Sequence, residues 1–568
     1  MQYKWAIQKQ KDRRKVEELS MVLNVKEDLA ELLVNRDIST FEQAKRFFRP
    51  NLDLLHDPFE MKDMHLAVER LEQAVKNQEN VLVYGDYDVD GTTSVSMVYS
   101  FLEKINPNVG FYIPDRYKEG YGLSFQGIDF AEANGIDLMI CLDCGIKAIE
   151  KVEYAKEKGI DIIICDHHRP GNEIPSALAV LDPKRSDCPY PYKELCGCGV
   201  GFKLLQAFVQ KNKINENELF EYLDLVAIAV GADIVPITGE NRVLAHFGLK
   251  KINERSRPGI KALLEVAMAK KELTITDVVF ILGPRINAAG RIHSANKAVE
   301  LLISKEEGIL QSLSKEIDEF NKKRKTLDKS ITKEALEMIA NDSQLMDAKS
   351  SVLFKDGWHK GVIGIVASRL TEHYYRPTIV LTENDGKATG SARSVKHFDV
   401  YNAIEKCSDL LENFGGHKYA AGLTMKKENL PLFQERFEQA VTESIRAEWL
   451  IPELQVELVI DFKRITPKFA SIIFQMAPFG PGNMKPVFVT HNCLDAGYSK
   501  TLKDEHLKLH VKQQDNPNLK YGGIAFGMAD KLEIVKSGKP FSMVYQIYEN
   551  EWQGNKKLEL MVKDIRLS

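Results

Sequence analysis

Cysteine is scarce in this chain, tryptophan scarcer, and neither sign of charge prevails: 568 residues carry 8 cysteines, 4 tryptophans and a net charge of −4. So few thiols exclude a disulfide-framed secreted scaffold, and reduced, buried cysteines are the expectation. No apolar run approaches the roughly 18 residues of a membrane helix, so no such span is expected. The opening MQYKWAIQKQKDRRKVEEL has basic residues without an apolar core behind them. A secretory leader is therefore not expected, and the cytoplasm is the default compartment. The balance of charge excludes a global basic field, so a polyanion would have to be held by local patches. One such patch, HFGLKKINERSRPGIK (246–261), reads by itself as a solvated loop. Cys141 and Cys144 with Cys196 and Cys198 offer an alternative, four thiolates for zinc, but the second spacing is tighter than usual for such sites.

What is present is a chain too long for one core, with a change of pattern along it. Residues 1–75 read as charged helices packing on the core. From about 80 to 185, short apolar runs (VLVY, VGFYI, DLMICL, DIIIC, ALAVL) alternate with amphipathic segments. Unbroken apolar strands between helices predict a parallel, doubly wound α/β sheet covered on both faces. Helical segments then continue to about 304. Residues 305–345 are dense in charge and predict a long connecting helix. A second α/β pattern fills 346–450, and short alternating strands over 451–568 predict an OB-like β-barrel.

The chemistry concentrates at strand ends. After VLVYG comes Asp86-Tyr-Asp88-Val-Asp90-Gly91-Thr92-Thr93, three carboxylates at alternate positions that repel one another unless a cation sits among them. Gly91 is expected to allow a tight turn, and Thr92 or Thr93 to cap the next helix. An EF-hand fails, because Met97 stands where its bidentate Glu is needed. A phosphatase with an aspartyl nucleophile, read from Asp88-Val-Asp90-Gly-Thr92, stays as an alternative, although its later acidic pair is not evident. The next strands end in Asp143 and in Asp166-His167-His168, and Asp233 follows the apolar helix LVAIAVGA. Ligands of open α/β sheets sit beyond the carboxyl ends of the strands, so these groups should converge there. A lone strand-end Asp is usually a helix cap, but this ordered set would be badly destabilising without metal. Carboxylates with imidazoles suit two Mn²⁺ or Mg²⁺ ions better than zinc, and such a pair serves phosphoester hydrolysis.

At Asp166-His167-His168 the sequence resembles the DHH phosphoesterases, and over nearly its whole length their single-strand-specific DNA exonucleases. The motifs that carry the likeness are GDYDVDGTTS, PDRYKEGYG, CLDCGI, CDHH, LDPK, CGCGVGFKL, GADIVP, GPRINAAGRI, GSARS, FGGHKYAAGLT and PFGPGN. The resemblance implies a DHH-type catalytic domain (76–304), the connecting helix, a DHH-associated substrate domain (346–450) and an OB-like nucleic-acid-binding domain. It implies Asp88, Asp90, Asp143, His167 and Asp233 as metal ligands, with Asp143 bridging two ions. His168 would act on the scissile phosphate or its attacking water, with Asp86 behind the ligands. Tyr84 departs from many relatives, which place a metal-contacting His there. Ser391, Arg393 and Arg116 would grip a 5′ phosphate; Arg285, Asn287 and Arg291 would hold the next ones; His417 belongs to the domain that closes over the site. The implied activity is 5′-to-3′ hydrolysis of single-stranded DNA with a free 5′ end to mononucleotides, in recombination and repair. A helicase and a single-strand binding protein are the implied partners, and a monomer is expected. Two other functions compete: a phosphodiesterase of short oligonucleotides or cyclic dinucleotides, and a non-catalytic scaffold of the same fold.

Overall fold

The computed structural model describes residues 3–9, 11–269, 272–552 and 554–568. Strands β1 (Val81–Gly85), β2 (Val109–Tyr112), β3 (Leu138–Leu142), β4 (Asp161–Cys165) and β5 (Ala179–Leu181) form one sheet, every neighbour parallel, in the order β2-β1-β3-β4-β5. Alternate residues enter two separate cores. Val81, Val83, Ile140 and Ile163 face one, while Leu82, Tyr84, Met139 and Ile164 face the other. Burial on both sides explains why these strands read as continuous apolar runs. From β1 the chain crosses outward to β2, then back across to β3. The carboxyl ends of β1 and β3 therefore flank the point where the winding reverses, the usual place for a ligand crevice.

The helices behind this sheet are α1 (Val89–Leu102), α2 (Gly197–Lys211), α3 (Leu223–Ala232), α4 (Gly239–Arg255) and α5 (Gly283–Ile292). The basic stretch at 246–261, expected as a loop, is helical: it runs along α4 into the helix Pro258–Val266. Its charges are largely paired, Lys251 with Glu221 at 2.6 Å and Arg257 with the buried Asp224 at 2.8 Å. The zinc alternative also fails. Cys141 and Cys144 pack on one face of the sheet and Cys196 and Cys198 on the other, so the sheet keeps the pairs apart.

Helix α6 (Glu307–Ala340) has 34 residues and no proline. Its buried positions recur at three- and four-residue steps, but they serve two cores in turn. Leu310, Leu313 and Ile317 join the core of the parallel-sheet domain; Ile331, Ala335 and Ile339 join Val362, Val366 and Leu370 of α7 (Lys360–Tyr374). The helix thus carries two apolar stretches, one for each domain, separated by the buried polar residues Asp318, Asn321 and Asp328. The second domain has a mixed sheet in the order 413–417, 420–426, 387–393, 378–384, 351–354, parallel only between the last two strands.

The last domain is a sheet of seven strands in which Phe488–Asp495 pairs with both His506–Gln513 and Phe541–Trp552, closing a barrel. The N-terminal helices, expected as one segment on the core, divide between two units. Met64–Asn77 packs on the parallel sheet, whereas Val16, Leu19, Leu29 and Leu32 pack into the barrel's core with Phe469 and Phe488. The strand Lys4–Ile7 pairs in parallel with Glu453–Val456, and the Trp5 indole donates to Asp564 at 2.8 Å.

Helices α3 and α4 cross so closely that a Cβ at Gly248 would lie 2.2 Å from the Leu223 carbonyl oxygen and 2.4 Å from Ala227 Cβ. Gly248→Ala is expected to destabilise the parallel-sheet domain by about 1–3 kcal/mol, read as a lower denaturant midpoint at unchanged slope.

Candidate metal centre

The first segment after β1 is fixed by main-chain bonding. Asp88 caps α1, its Oδ1 accepting from the Gly91 N–H at 3.1 Å. The threonines are not the cap. Thr92 and Thr93 donate back to the carbonyls of Asp88 and Val89 at 2.6 and 2.7 Å. Nor does Gly91 make a turn: it lies inside α1, where a Cβ would come within 2.3 Å of the Asp86 carbonyl oxygen. The glycine is needed for this close approach.

Asp90 points to the start of α2, where its two oxygens accept from the N–H groups of Gly197 (2.6 Å) and Cys198 (2.8 Å). Asp143, at the end of β3, sits in the left-handed region at φ 59°, a strained backbone for a residue with a side chain. Its Oδ1 lies 3.2 Å from His167 Nε2, which is also 3.6 Å from Asp233 Oδ2 and 3.8 Å from Asp90 Oδ2. One imidazole thus faces three carboxylates from three separate elements. Single atoms of Asp143, His167 and His168, and likewise of Asp90, His167 and Asp233, lie within 4.8 Å of one another. Asp88 is placed beside them, since its charge acts on Asp90, Asp143 and Asp233.

Electrostatics make this centre unstable on its own. Burial, then the charge of Asp88, pushes the Asp90 carboxyl up to about 7. Burial with Asp90 and Asp88 pushes Asp233 up to about 8. Burial and the same neighbours raise Asp143. Burial holds His167 down at about 3, so the ring in the middle is neutral and supplies no compensating charge. Asp143 Oδ1 and both ring nitrogens of His167 are buried without a hydrogen-bond partner. Such orphaned atoms are costly unless something fills the space among them. Hard oxygen and imidazole donors fit divalent Mn²⁺ or Mg²⁺.

Asp166 has another task. It accepts from the N–H groups of His167 (2.7 Å) and Ile146 (2.9 Å) and from His168 Nδ1 (2.7 Å). Burial opposes its ionisation, but the His168 hydrogen bond and charge outweigh that and hold the carboxyl at about 2. Reciprocally, burial disfavours a charged His168, yet Asp166 raises it to about 9. Two adjacent histidines are therefore driven to opposite states. Asp86 is buried behind the centre, with one oxygen 3.4 Å from the Gly122 N–H and the other unpartnered. Tyr84 faces away into the second core and donates to the Gly122 carbonyl at 2.9 Å.

Beside this centre, Arg116, Arg291, Ser391 and Arg393 line one cavity of about 530 Å³ together with the first turn of α7. Arg393 donates to Ser391 Oγ at 2.8 Å, Arg291 to the Gly361 carbonyl at 3.0 Å, and Arg116 lies over the Tyr87 ring at 4.6 Å. Burial, then the charge of Arg116, holds Arg291 down at about 10 and lowers Arg393. Guanidinium groups crowded in this way favour an anion between them. Arg285 is not among them. It pairs with Asp318 of α6 at 2.9 Å and so fastens α5 to the connecting helix. Asn287 and His417 also lie outside the cavity's lining. His417 is exposed at a strand end on the metal-centre side, its ring held low by partial burial, Lys147 and His168. Sequence reasoning passed over two groups. Tyr87 carries Arg116. Asp182 ends β5 with a buried, unpartnered oxygen, its carboxyl pushed by burial up to about 7. The strand-end rule that found Asp143 would have found Asp182 as well.

Residues 80–230 match the DHH family, N-terminal domain; residues 347–443 match the DHHA1 domain; residues 456–564 match the RecJ OB domain. With the parallel sheet and its acidic edge, these define a DHH-type protein. The single-stranded-DNA-specific exonuclease RecJ of Bacillus subtilis is 39% identical over 100% of this chain and 71% of its own length, and that of Escherichia coli 33% over 94% and 95%. The crystal structure of RecJ in complex with Mn²⁺ from Thermus thermophilus superposes with a TM-score of 0.84 at 27% identity, covering 100% of this chain and 80% of that one. The chain belongs to the RecJ family.

A Cβ at Gly197 would lie 2.5 Å from Asp143 Cβ and 2.6 Å from its Oδ1. Gly197→Ala is expected to weaken Mn²⁺ binding by at least about 10-fold while circular dichroism stays unchanged, with calorimetric Mn²⁺ titration as the measurement.

Proposed function

We propose that the chain is a metal-dependent exonuclease that hydrolyses single-stranded DNA from its 5′ end to 5′-mononucleotides, in recombination and repair. The observation that carries this reading is the pairing of a metal-ready edge with a terminal-phosphate pocket. The short segment Asp86–Asp90 contributes to both, because Tyr87 lines the phosphate cavity while Asp88 and Asp90 belong to the edge. A pocket with its own anion-binding wall selects a chain end, and so an exonuclease.

The residues divide the work as follows. Asp88, Asp90, Asp143, His167 and Asp233 would hold the ions, and His167 is common to both groups of ligand atoms. Bound divalent ions supply the Lewis acidity and water activation of phosphodiester hydrolysis. Asp166 keeps His168 oriented and charged, so that the imidazole donates toward the scissile phosphate. Ser391, Arg393, Arg116 and Arg291 hold the 5′ phosphate by charge-assisted hydrogen bonds. Asp86 supports the loop carrying the ligands, and Asn287 and His417 border the strand's path.

The barrel suits a sequence-tolerant platform for the remaining strand. Lys500 faces Lys508 and Lys512 faces Lys520 in cross-strand register, like-charge pairs that a polyanion relieves. Tyr498 and Phe526, 71% and 55% exposed, stand beside His510 and His506 for base stacking. A duplex cannot present its bases there, so a helicase exposing the strand and a single-strand binding protein are the fitting partners. All these groups come from one chain, in keeping with a monomer.

A 5′-phosphorylated single strand should yield mononucleotides from that end with Mn²⁺ or Mg²⁺ and nothing after chelation. Asp143→Asn should lower kcat at least about thousandfold. Release from the 3′ end, or activity surviving chelation, refutes the reading. Arg393→Ala should raise KM about 10- to 100-fold for 5′-phosphorylated strands and leave 5′-hydroxyl strands unaffected, measured by steady-state kinetics on the matched pair.

A further inference from the structure

His168 has one strong hold, the 2.7 Å hydrogen bond from Nδ1 to Asp166 Oδ1. One such bond fixes a ring atom but leaves the imidazole free to turn about that contact, and a group that must meet a phosphate oxygen needs its plane fixed as well. The second contact comes from an unexpected direction. The Tyr121 hydroxyl lies 3.3 Å from Nδ1 and 3.2 Å from Nε2, nearly equidistant, so it rests against the ring between the two nitrogens. Its single proton is given to the Asp143 carbonyl oxygen at 3.0 Å, which ties the tyrosine to the backbone of a proposed metal ligand. The two rings meet nearly edge to face, their planes 73° apart and centroids 5.7 Å apart. On its other side the Tyr121 ring meets Tyr87, centroids 6.4 Å apart at 82°, and Tyr87 carries Arg116 of the phosphate pocket.

We propose that Tyr121 is a positioning residue that sets the ring plane of His168, bracing the imidazole against the Asp143 backbone so that the scissile phosphate meets it in one orientation. The proposal rests on the reading of this centre as the site of hydrolysis. Tyr121 is 51% exposed, so removing its hydroxyl leaves the core intact. Tyr121 touches none of the proposed ligand atoms, since its bond to Asp143 is to the main chain. Its loss should therefore slow the reaction without weakening the metal or the substrate.

The experiment compares wild type, Tyr121→Phe and His168→Asn. In the metal-free protein, the His168 ring Cε1–H resonance, assigned by its loss in His168→Asn, should move in Tyr121→Phe, because the hydroxyl contact is lost while the aromatic ring stays. With Mn²⁺ and a 5′-phosphorylated single strand, Tyr121→Phe should lose about 10- to 100-fold in kcat at unchanged KM and unchanged Mn²⁺ affinity. An unmoved resonance, an undiminished kcat, or a loss recovered by excess Mn²⁺ or excess substrate overturns the proposal. Absence of cleavage by the wild type would instead overturn the hydrolytic reading, so the two failures are told apart.

Discussion

Carboxylates crowd at the carboxyl edge of the parallel sheet around a neutral imidazole, and much of the surrounding architecture answers to that repulsion. Asp90 commits both oxygens to the first N–H groups of α2, Asp88 caps α1, and Asp166 is held by three main-chain N–H groups and one imidazole. These bonds fix where each charge points without neutralising the group. What is left over is a set of inward-facing atoms with no partner in the protein. Folding therefore builds a centre whose remaining free energy is released by a cation, and the glycines at 91 and 197 are the steric condition for drawing the elements so close.

A second unbalanced field lies alongside. Arg116, Arg291 and Arg393 approach one another in the adjoining cavity, each costly beside the others without an anion. An acidic edge next to a basic pocket suits the proposed substrate, whose terminal phosphate the guanidiniums would hold while the carboxylates held the cations. The neighbouring fields also attract each other, which moderates the cost of keeping both in one cleft.

Much of this was legible in the sequence because period and position carry it. Continuous apolar strands betrayed a sheet buried on both faces, and acids placed immediately after them marked the edge at which they converge. The charged, proline-free stretch before 341 showed the connecting helix. Other features were hidden for physical reasons. The tasks of Gly91, Gly197 and Gly248 depend on distances between segments remote in sequence. The ion pair of Arg285 was hidden because its partner, Asp318, is 33 residues away on another helix, and no local pattern separates an ion-paired arginine from a phosphate-binding one. The basic stretch after 246 looked like a solvated loop because its pairing acids, Glu221 and Asp224, lie on an earlier segment. The N-terminal helices show an apolar face, but nothing in that face names the barrel as its partner.

That last pairing has a consequence for biosynthesis. The helices containing Val16 and Leu29 complete their packing only against barrel residues such as Phe469 and Phe488. Roughly 450 residues separate the two, so at ribosomal speed the early helices wait on the order of 20–90 s with a greasy side uncovered. The nascent chain must finish both central domains while its first segment is still unclaimed, which makes that segment a natural target for chaperones during translation.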